Sequence, residues 1–503
     1  MKGAATGGAT SRGEARLATR WRIVPLLIAL LAAALELSCL GGLYFPDTTA
    51  YLGHTFASRL ALRWPTFNPA YPLLLDALIV ALPAAARMAV LVVLQQACVA
   101  AIPWLTLRCG ELLGRPRVGF VAALLTALHA PLSLFAQTAM SDSLFAFLVA
   151  ASSYWFVRAL AARRASGGGD ASGASGGGSA WLAGALAVGA VAQRSSGVAL
   201  LAAAVVALLL SRPRAHAPLL LRYLAGAALM LAAVLAKNFV DYGRVTLVEG
   251  RGIHLFCRVA ARERAFPPTP EVERLEALAR RNGHESLAFP QAGWRLHALL
   301  IEQERLDPDS ADALLETAAL QALRVDPRRS FALTIDSMVQ NVAREDAASY
   351  TIRSVWERAE WERFEARTER LWAGYLDRVE LGRRLLPPYP PRAAADDARV
   401  RLLQLWSRHA RAWCGGWLLL ALLACGAIGL WRRDPALLFC AGLPFAQVAA
   451  SAIGEIPFAG HFDPVVPATW LALLLASARW VERLHCRSEG ARRTDAENSG
   501  PSS

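Results

Sequence analysis

Cysteine gives this chain no covalent framework. Of its eight cysteines, Cys39, Cys98, Cys109, Cys414, Cys425 and Cys440 fall in or beside apolar runs and Cys486 lies in the C-terminal tail, which leaves Cys257 alone in the one large polar region. One thiol cannot close a disulfide set there, and no Cys/His spacing fits a metal site. No basic patch gathers the formal charge of +13 on a single domain, which excludes a nucleic-acid-binding module. No internal repeat is visible, which speaks against a repeat-built carrier. The first apolar run, Ile23 to Leu43, is too long for a signal-peptide core and is read as an uncleaved helix. At Glu36-Leu37-Ser38-Cys39 a glutamate stands where a lipoprotein cleavage site wants an apolar residue.

What the chain has instead is apolar length. Its 503 residues are 55% hydrophobic, with several runs long enough to cross a bilayer. The predicted fold is an all-α polytopic membrane protein. Spans are expected at 23–43, 88–107, 117–138, 143–160, 181–193, 196–211, 218–237, 414–431, 435–453 and 464–481, about ten in all. The piece Ala70 to Ala84 rises only about 21 Å as helix, short of a core of roughly 30 Å, so it is read as re-entrant or interfacial.

Charge sets the expected orientation. With the N-terminus cytoplasmic, the inside segments 1–22, 108–117, 158–180, 212–222, 432–434 and 479–503 hold 21 basic and 8 acidic residues, and the rest of the chain holds 32 of each. The whole excess therefore falls on one side, with both termini cytoplasmic and the protein placed in a bacterial inner (plasma) membrane. The domains follow: a cytoplasmic tail, 1–22; an N-terminal transmembrane catalytic module, 23–240, with a flexible Gly/Ser linker at 165–180; an extracytoplasmic helical loop region, 241–411; C-terminal transmembrane helices, 412–482; and a cytoplasmic tail, 483–503. The loop region has 27 basic and 26 acidic residues. Its helices are predicted at Pro270 to Gly283, Ser310 to Val325, Arg328 to Ala343 and from Trp356, where Trp, Phe, Leu and Tyr recur at helical steps that suit ordinary packing.

On this topology the ionisable residues at the membrane surface collect on the outer side: Asp47 in FPDTTAYL, Asp142, Arg194, Lys237 beside Asn238, and His461 with Asp463. Charges delivered by distant segments to one mouth of a bundle suggest a site at the interface. Each has a plainer reading. Asp47 can cap residues 48–51 and Asp142 can cap the helix that follows it. Arg194 can be an interfacial anchor, and Asp463 a cap of the last span.

FPDTTAYL followed by NPAYPLLLDAL resembles the first outer loop of the GT-C superfamily of membrane glycosyltransferases, which includes the protein O-mannosyltransferases and the lipid A aminoarabinose transferases. Ser141-Asp142 in AMSDSLFAFL is similar to the family's second acidic motif. QRSSGVALL, with Arg194 and Gly197, resembles its Arg-Pro-x-Gly element, with Ser195 where proline is common. KNFVDYGRVTLVEGRGIHLF, with Asn238, Gly243 and Gly252, resembles the segment leading into the large loop. ADALLETAALQALRVDPRRSF resembles the recurrent loop helix that ends at an Asp-Pro. GHFDPVVP resembles Arg-Tyr-x-x-Pro-x-x-Pro, with His461 and Phe462 in place of the Arg-Tyr pair.

The resemblance implies a glycosyltransferase that moves a sugar from a polyprenyl-phosphate donor to an acceptor protein, lipid or glycan. Asp47 and Asp142 would be catalytic, and Tyr51, Arg194, Lys237, Asn238 and His461 substrate-binding. Membrane lipids are expected partners. No nucleic acid, no cofactor and no tightly bound metal is expected. The physical demands of such a transfer agree: a base for the acceptor hydroxyl, cations for the departing phosphate, and a location that a lipid tail can reach. The alternative is a transporter or lipid flippase without transferase activity; a membrane scaffold is a third reading, in which both Asp47 and Asp142 are dispensable.

Overall fold

The computed structural model describes residues 21–42, 48, 51–52, 68–165, 174–248, 250–289, 292–343, 380, 382–388, 393, 397–409, 414–454 and 462–479. Asp47, His461, the aromatic stripe from Trp356, residues 1–20 and the C-terminal tail lie outside the described residues.

Among the described residues the fold is all helical. The helices are α1 (Val24–Cys39), α2 (Ala70–Ala81), α3 (Ala84–Leu112), α4 (Pro116–Ala127), α5 (Ala130–Leu134, continued by a 3-10 turn at Phe135–Gln137), α6 (Asp142–Ala165), α7 (Ala174–Gln193), α8 (Val198–Ser211) and α9 (Pro213–Tyr242). After them come α10 (Arg251–Arg262), α11 (Pro270–Arg281), α12 (Ala292–Glu304), α13 (Pro308–Val325), α14 (Pro327–Ala343), α15 (Ala398–His409), α16 (Trp417–Arg432) and α17 (Pro435–Gly454). A last helix, α18, runs over 466–479.

Several of these starts are written in the sequence as Asp-Pro. Proline at the first helical position lacks only an N–H that would have no partner there, and the aspartate before it accepts from the next free amides. Asp307 Oδ1 accepts from Asp309 and Ser310 at 3.1 and 3.0 Å. Asp326 Oδ1 accepts from Arg329 at 2.9 Å. Asp434 Oδ1 accepts from Ala436 at 3.0 Å.

By length and composition four of the described helices can cross a bilayer, α3, α6, α9 and α17, and a fifth span results if α4 and α5 are taken together across their 56° bend. The expected span at 117–138 is thus broken. The break falls at Leu128 and His129, where a continuous helix would need Pro131 to donate an N–H it lacks to the Ala127 carbonyl and would press its ring against that carbonyl. The helices α1, α8 and α16, expected as spans, are shorter apolar helices, as is α2. The expected linker 165–180 also differs: residues 174–180 already form the first turns of α7, and Ala180 is fully buried.

Glycine explains how α7 holds its place. A Cβ on Gly184 would strike the Tyr223 carbonyl and one on Gly226 the Trp181 carbonyl, so α7 and α9 touch backbone to backbone along a small-residue seam. Around it a bundle core joins Phe156, Tyr223 and Phe439, whose rings lie 5.9 Å (Phe156 to Tyr223) and 4.5 Å (Phe156 to Phe439) apart. The polar region has a second core of its own, built on Ile253, Phe256, Leu275, Leu296 and Leu315. The Arg258 guanidinium ties it to the bundle by donating to the Ala452 carbonyl at 2.9 Å.

Candidate functional site

Asp142 is the first residue of α6, where the unpaired amides and the helix dipole favour a carboxylate. α7 packs antiparallel to α6, with the Ser152 hydroxyl on the Ala183 carbonyl at 2.8 Å. That register brings the end of α7 back to the start of α6. There Arg194, in extended backbone between α7 and the short turn Ser195–Gly197, forms an ion pair with Asp142. Only 4% of the Asp142 side chain and 18% of that of Arg194 are exposed. The second carboxylate oxygen, Oδ2, is buried and accepts no hydrogen bond among the described residues.

The segment that follows Asp47 is docked onto the same place. Thr48 donates to the Ala139 carbonyl at 2.9 Å, and the Tyr51 hydroxyl shares a hydrogen bond with that of Ser141 at 3.1 Å. Tyr51 stands edge-on to Tyr71 of α2, the centroids 4.9 Å apart. Tyr71 in turn donates to Gln95, whose amide holds the carbonyls of Ala136 and Thr138 at 3.0 and 2.7 Å. Thr48, Tyr51 and Tyr71 of α2 are thus all tied to the approach to Asp142, residues 136–141.

Lys237 and Asn238 lie in the last two turns of α9, each with partners of its own. Along the α7/α9 seam Trp181 lies against Gly226. Lys237 is paired with Asp241 at 2.9 Å and faces the Tyr242 ring at 5.7 Å. Asn238 is fully buried and gives its amide hydrogens to the Thr246 and Leu247 carbonyls at 2.7 and 3.0 Å, folding the chain back after the left-handed Gly243. That is a brace for the entry into the polar region.

Two buried carboxylates have partners that the sequence reading did not give them. Asp463 does not simply cap the last helix: its carboxylate meets His129 Nε2 at 2.8 Å, both side chains nearly without exposure. The contact lies inside the bundle, where Pro464 and Pro467 share a small cavity with Val149 and Ala150, two turns along α6 from Asp142. Glu36, fully buried in the last turns of α1, accepts from the Ser133 hydroxyl at 2.6 Å and the Gln96 amide at 2.7 Å. The available signal was the presence of an ionisable residue within an apolar run. Among the described residues no three His, Cys, Asp or Glu side chains converge as a metal cluster.

Chemically, the Asp142 end holds a guanidinium in a charge-assisted pair with a carboxylate, and a buried carboxylate oxygen able to accept a hydroxyl proton or a hydrogen bond. No protein-family model matches the chain, and no curated protein matches it. Among solved structures it is similar to an archaeal oligosaccharyltransferase, AglB from Archaeoglobus fulgidus, in complex with an inhibitory peptide and a dolichol-phosphate. The identity is 15%, over 94% of this chain and 52% of that one, so this chain spans about half the length of the protein it matches. The TM-score is 0.44, and a likeness of that degree fixes neither activity nor site.

Proposed function

We propose that this protein is a membrane glycosyltransferase of the GT-C type, transferring a sugar from a polyprenyl-phosphate carrier to an acceptor on the extracytoplasmic face. The observation that supports the reading is the meeting of three distant segments: Thr48 and Tyr51, which follow Asp47 in sequence, on Ala139 and Ser141; Asp142 at the head of α6; and Arg194 after α7. In the proposed reaction the acceptor oxygen attacks the anomeric carbon, the bond from that carbon to the phosphate oxygen breaks, and polyprenyl phosphate leaves with inversion. Asp47 takes the acceptor proton. Arg194, with Lys237 or His461, stabilises the departing phosphate, and Asp142 holds Arg194 in place and orients the acceptor.

The test is incubation of the purified protein with a panel of labelled polyprenyl-phosphate sugars, with and without chelator. Transfer or hydrolysis of one of them is expected, and Asp47→Asn should abolish it at unchanged expression. Retained activity in that variant would remove Asp47 from the mechanism. The rival reading, a carrier, draws on Glu36 and on the His129–Asp463 pair, because ionisable groups inside a bundle often line a translocation path. It predicts uptake of labelled lipid or sugar phosphate without bond cleavage, lost in Glu36→Gln.

A further inference from the structure

The ion pair of Asp142 and Arg194 stands among polar atoms that the protein leaves unmatched. Asp142 Oδ2, Ser143 Oγ, Gln193 Oε1 and Ser196 Oγ are buried and have no hydrogen-bond partner among the described residues. All four belong to the pair itself or to residues within two positions of it in the chain. Unmatched buried polar atoms are uncommon in folded proteins and call for a reason. Two of these four are held in a tight turn. Gln193 ends α7 and Ser196 lies in the 3-10 turn after Arg194, 7% and 5% exposed. The Gly197 amide donates to the Arg194 carbonyl at 2.9 Å, and a Cβ on Gly197 would strike the backbone of Ala190 and Val191, so the turn is folded closely onto the last turn of α7. At its exposed edge the Asn68 amide, just ahead of α2, donates to Ser195 Oγ at 3.4 Å.

The bonding needs of these atoms define the ligand. Gln193 Oε1 can only accept, whereas the Ser196 hydroxyl accepts and donates. An ionised phosphate brings acceptors alone and leaves the glutamine oxygen unmatched. An ammonium group donates, but it adds a positive charge where Asp142 and Arg194 already balance each other. Sugar hydroxyls donate, accept and carry no charge.

Given the glycosyl transfer proposed above, on which this rests, we propose that Gln193 and Ser196 hold the transferred sugar and that this sugar is uncharged. Its hydroxyls donate to Gln193 Oε1 and bond with Ser196 Oγ, beside the arginine that meets the phosphate. The two polar atoms stay unmatched until the sugar arrives, so the site gives up stability for selectivity.

The test measures binding rather than turnover. Full-length protein in neutral detergent is titrated with undecaprenyl phosphate, with its glucose, mannose and galactose conjugates, and with its aminoarabinose conjugate. One of the neutral conjugates is expected to bind more tightly than both the bare lipid phosphate and the aminosugar conjugate. Ser196→Ala and Gln193→Leu should each weaken that binding about fivefold, the worth of one ordinary hydrogen bond, and leave the binding of undecaprenyl phosphate unchanged. Both should also keep or raise the melting temperature of the ligand-free protein, because each removes a buried atom that had no partner, whereas loss of a structural hydrogen bond would lower it. The wild type decides independently of folding in the variants: among monodeoxy forms of the preferred sugar, at least one must bind about fivefold more weakly. Equal binding of bare and sugar-linked lipid, a preference for the aminosugar, unchanged binding by both variants, lower melting of Ser196→Ala, or indifference to every deoxy position overturns the proposal, and the glycosyl-transfer reading survives wherever a lipid-linked probe still binds. Binding of none of the probes removes that reading together with the subsite.

Discussion

Removing Arg194 should cost this protein more stability than removing Arg194 and Asp142 together. In Arg194→Met the Asp142 carboxylate stays buried at 4% exposure with its ion-pair partner gone and with Oδ2 already lacking a donor among the described residues. Leaving one member of a buried pair behind costs about 3–5 kcal/mol, whereas replacing both by apolar residues of similar volume is often neutral. Arg194 keeps 18% exposure, so water shares its charge and the lower end of that range, about 3 kcal/mol, applies. Asp142→Leu with Arg194→Met should recover at least about 2 kcal/mol of the loss, a coupling well above the scatter of independent sites. Denaturant titration in mixed micelles of the wild type, both single variants and the double variant closes the cycle. A single variant within about 1 kcal/mol of wild type, or a double variant no more stable than Arg194→Met, would refute a buried, coupled pair. The same four proteins separate structure from chemistry: the double variant should regain stability and remain inactive in sugar transfer. If it regains both, the pair is a fastening and nothing more.

Gly226→Ala should destabilise by about 1–3 kcal/mol in the same titration, because its Cβ would meet the Trp181 carbonyl on α7, while Gly426→Ala on α16, where the space is open, should not. Asn238→Ala should cost about 1–3 kcal/mol and speed tryptic cleavage at Arg244, since both amide bonds that fold the chain back over 243–247 are lost. His297, on α12, is held below its ordinary value of 6.5, mainly by burial and against the pull of the Pro308 carbonyl and Asp312. The unfolded chain therefore binds that proton first, so stability is full above pH 6.5 and declines as the pH falls toward the folded value. Melting of His297→Gln from pH 7.5 to 5 should lose that part of the slope; an unchanged slope would show that the imidazole is not responsible.

The helices were largely legible because local chemistry makes them. Apolar length marked α3, α6, α9 and α17, and the Asp-Pro starts of α13, α14 and α17 follow from capping alone. The expected helices of the polar region end within a few residues of α11, α13 and α14. Where sequence reading failed, composition misled it. The Gly/Ser stretch at 165–180 reads as a linker, yet its last residues, 174–180, belong to α7. The span at 117–138 reads as continuous because hydropathy does not register the bend before Pro131.

The site divides in the same way. By itself the sequence determined which charged residues end apolar segments, because a charge in lipid is costly and stands out wherever it falls. Hydropathy and charge could also place Asp142, Arg194, Lys237 and Asn238 at the same end. Partnership was decided only by the tertiary structure, since it depends on the rotation and register of packed helices. The antiparallel register of α6 and α7 joined Asp142 to Arg194, while the short reach of Asn238 to Thr246 and Leu247 made it a brace. His129 met Asp463, 334 residues away in the chain, because the broken span turns that ring into the bundle.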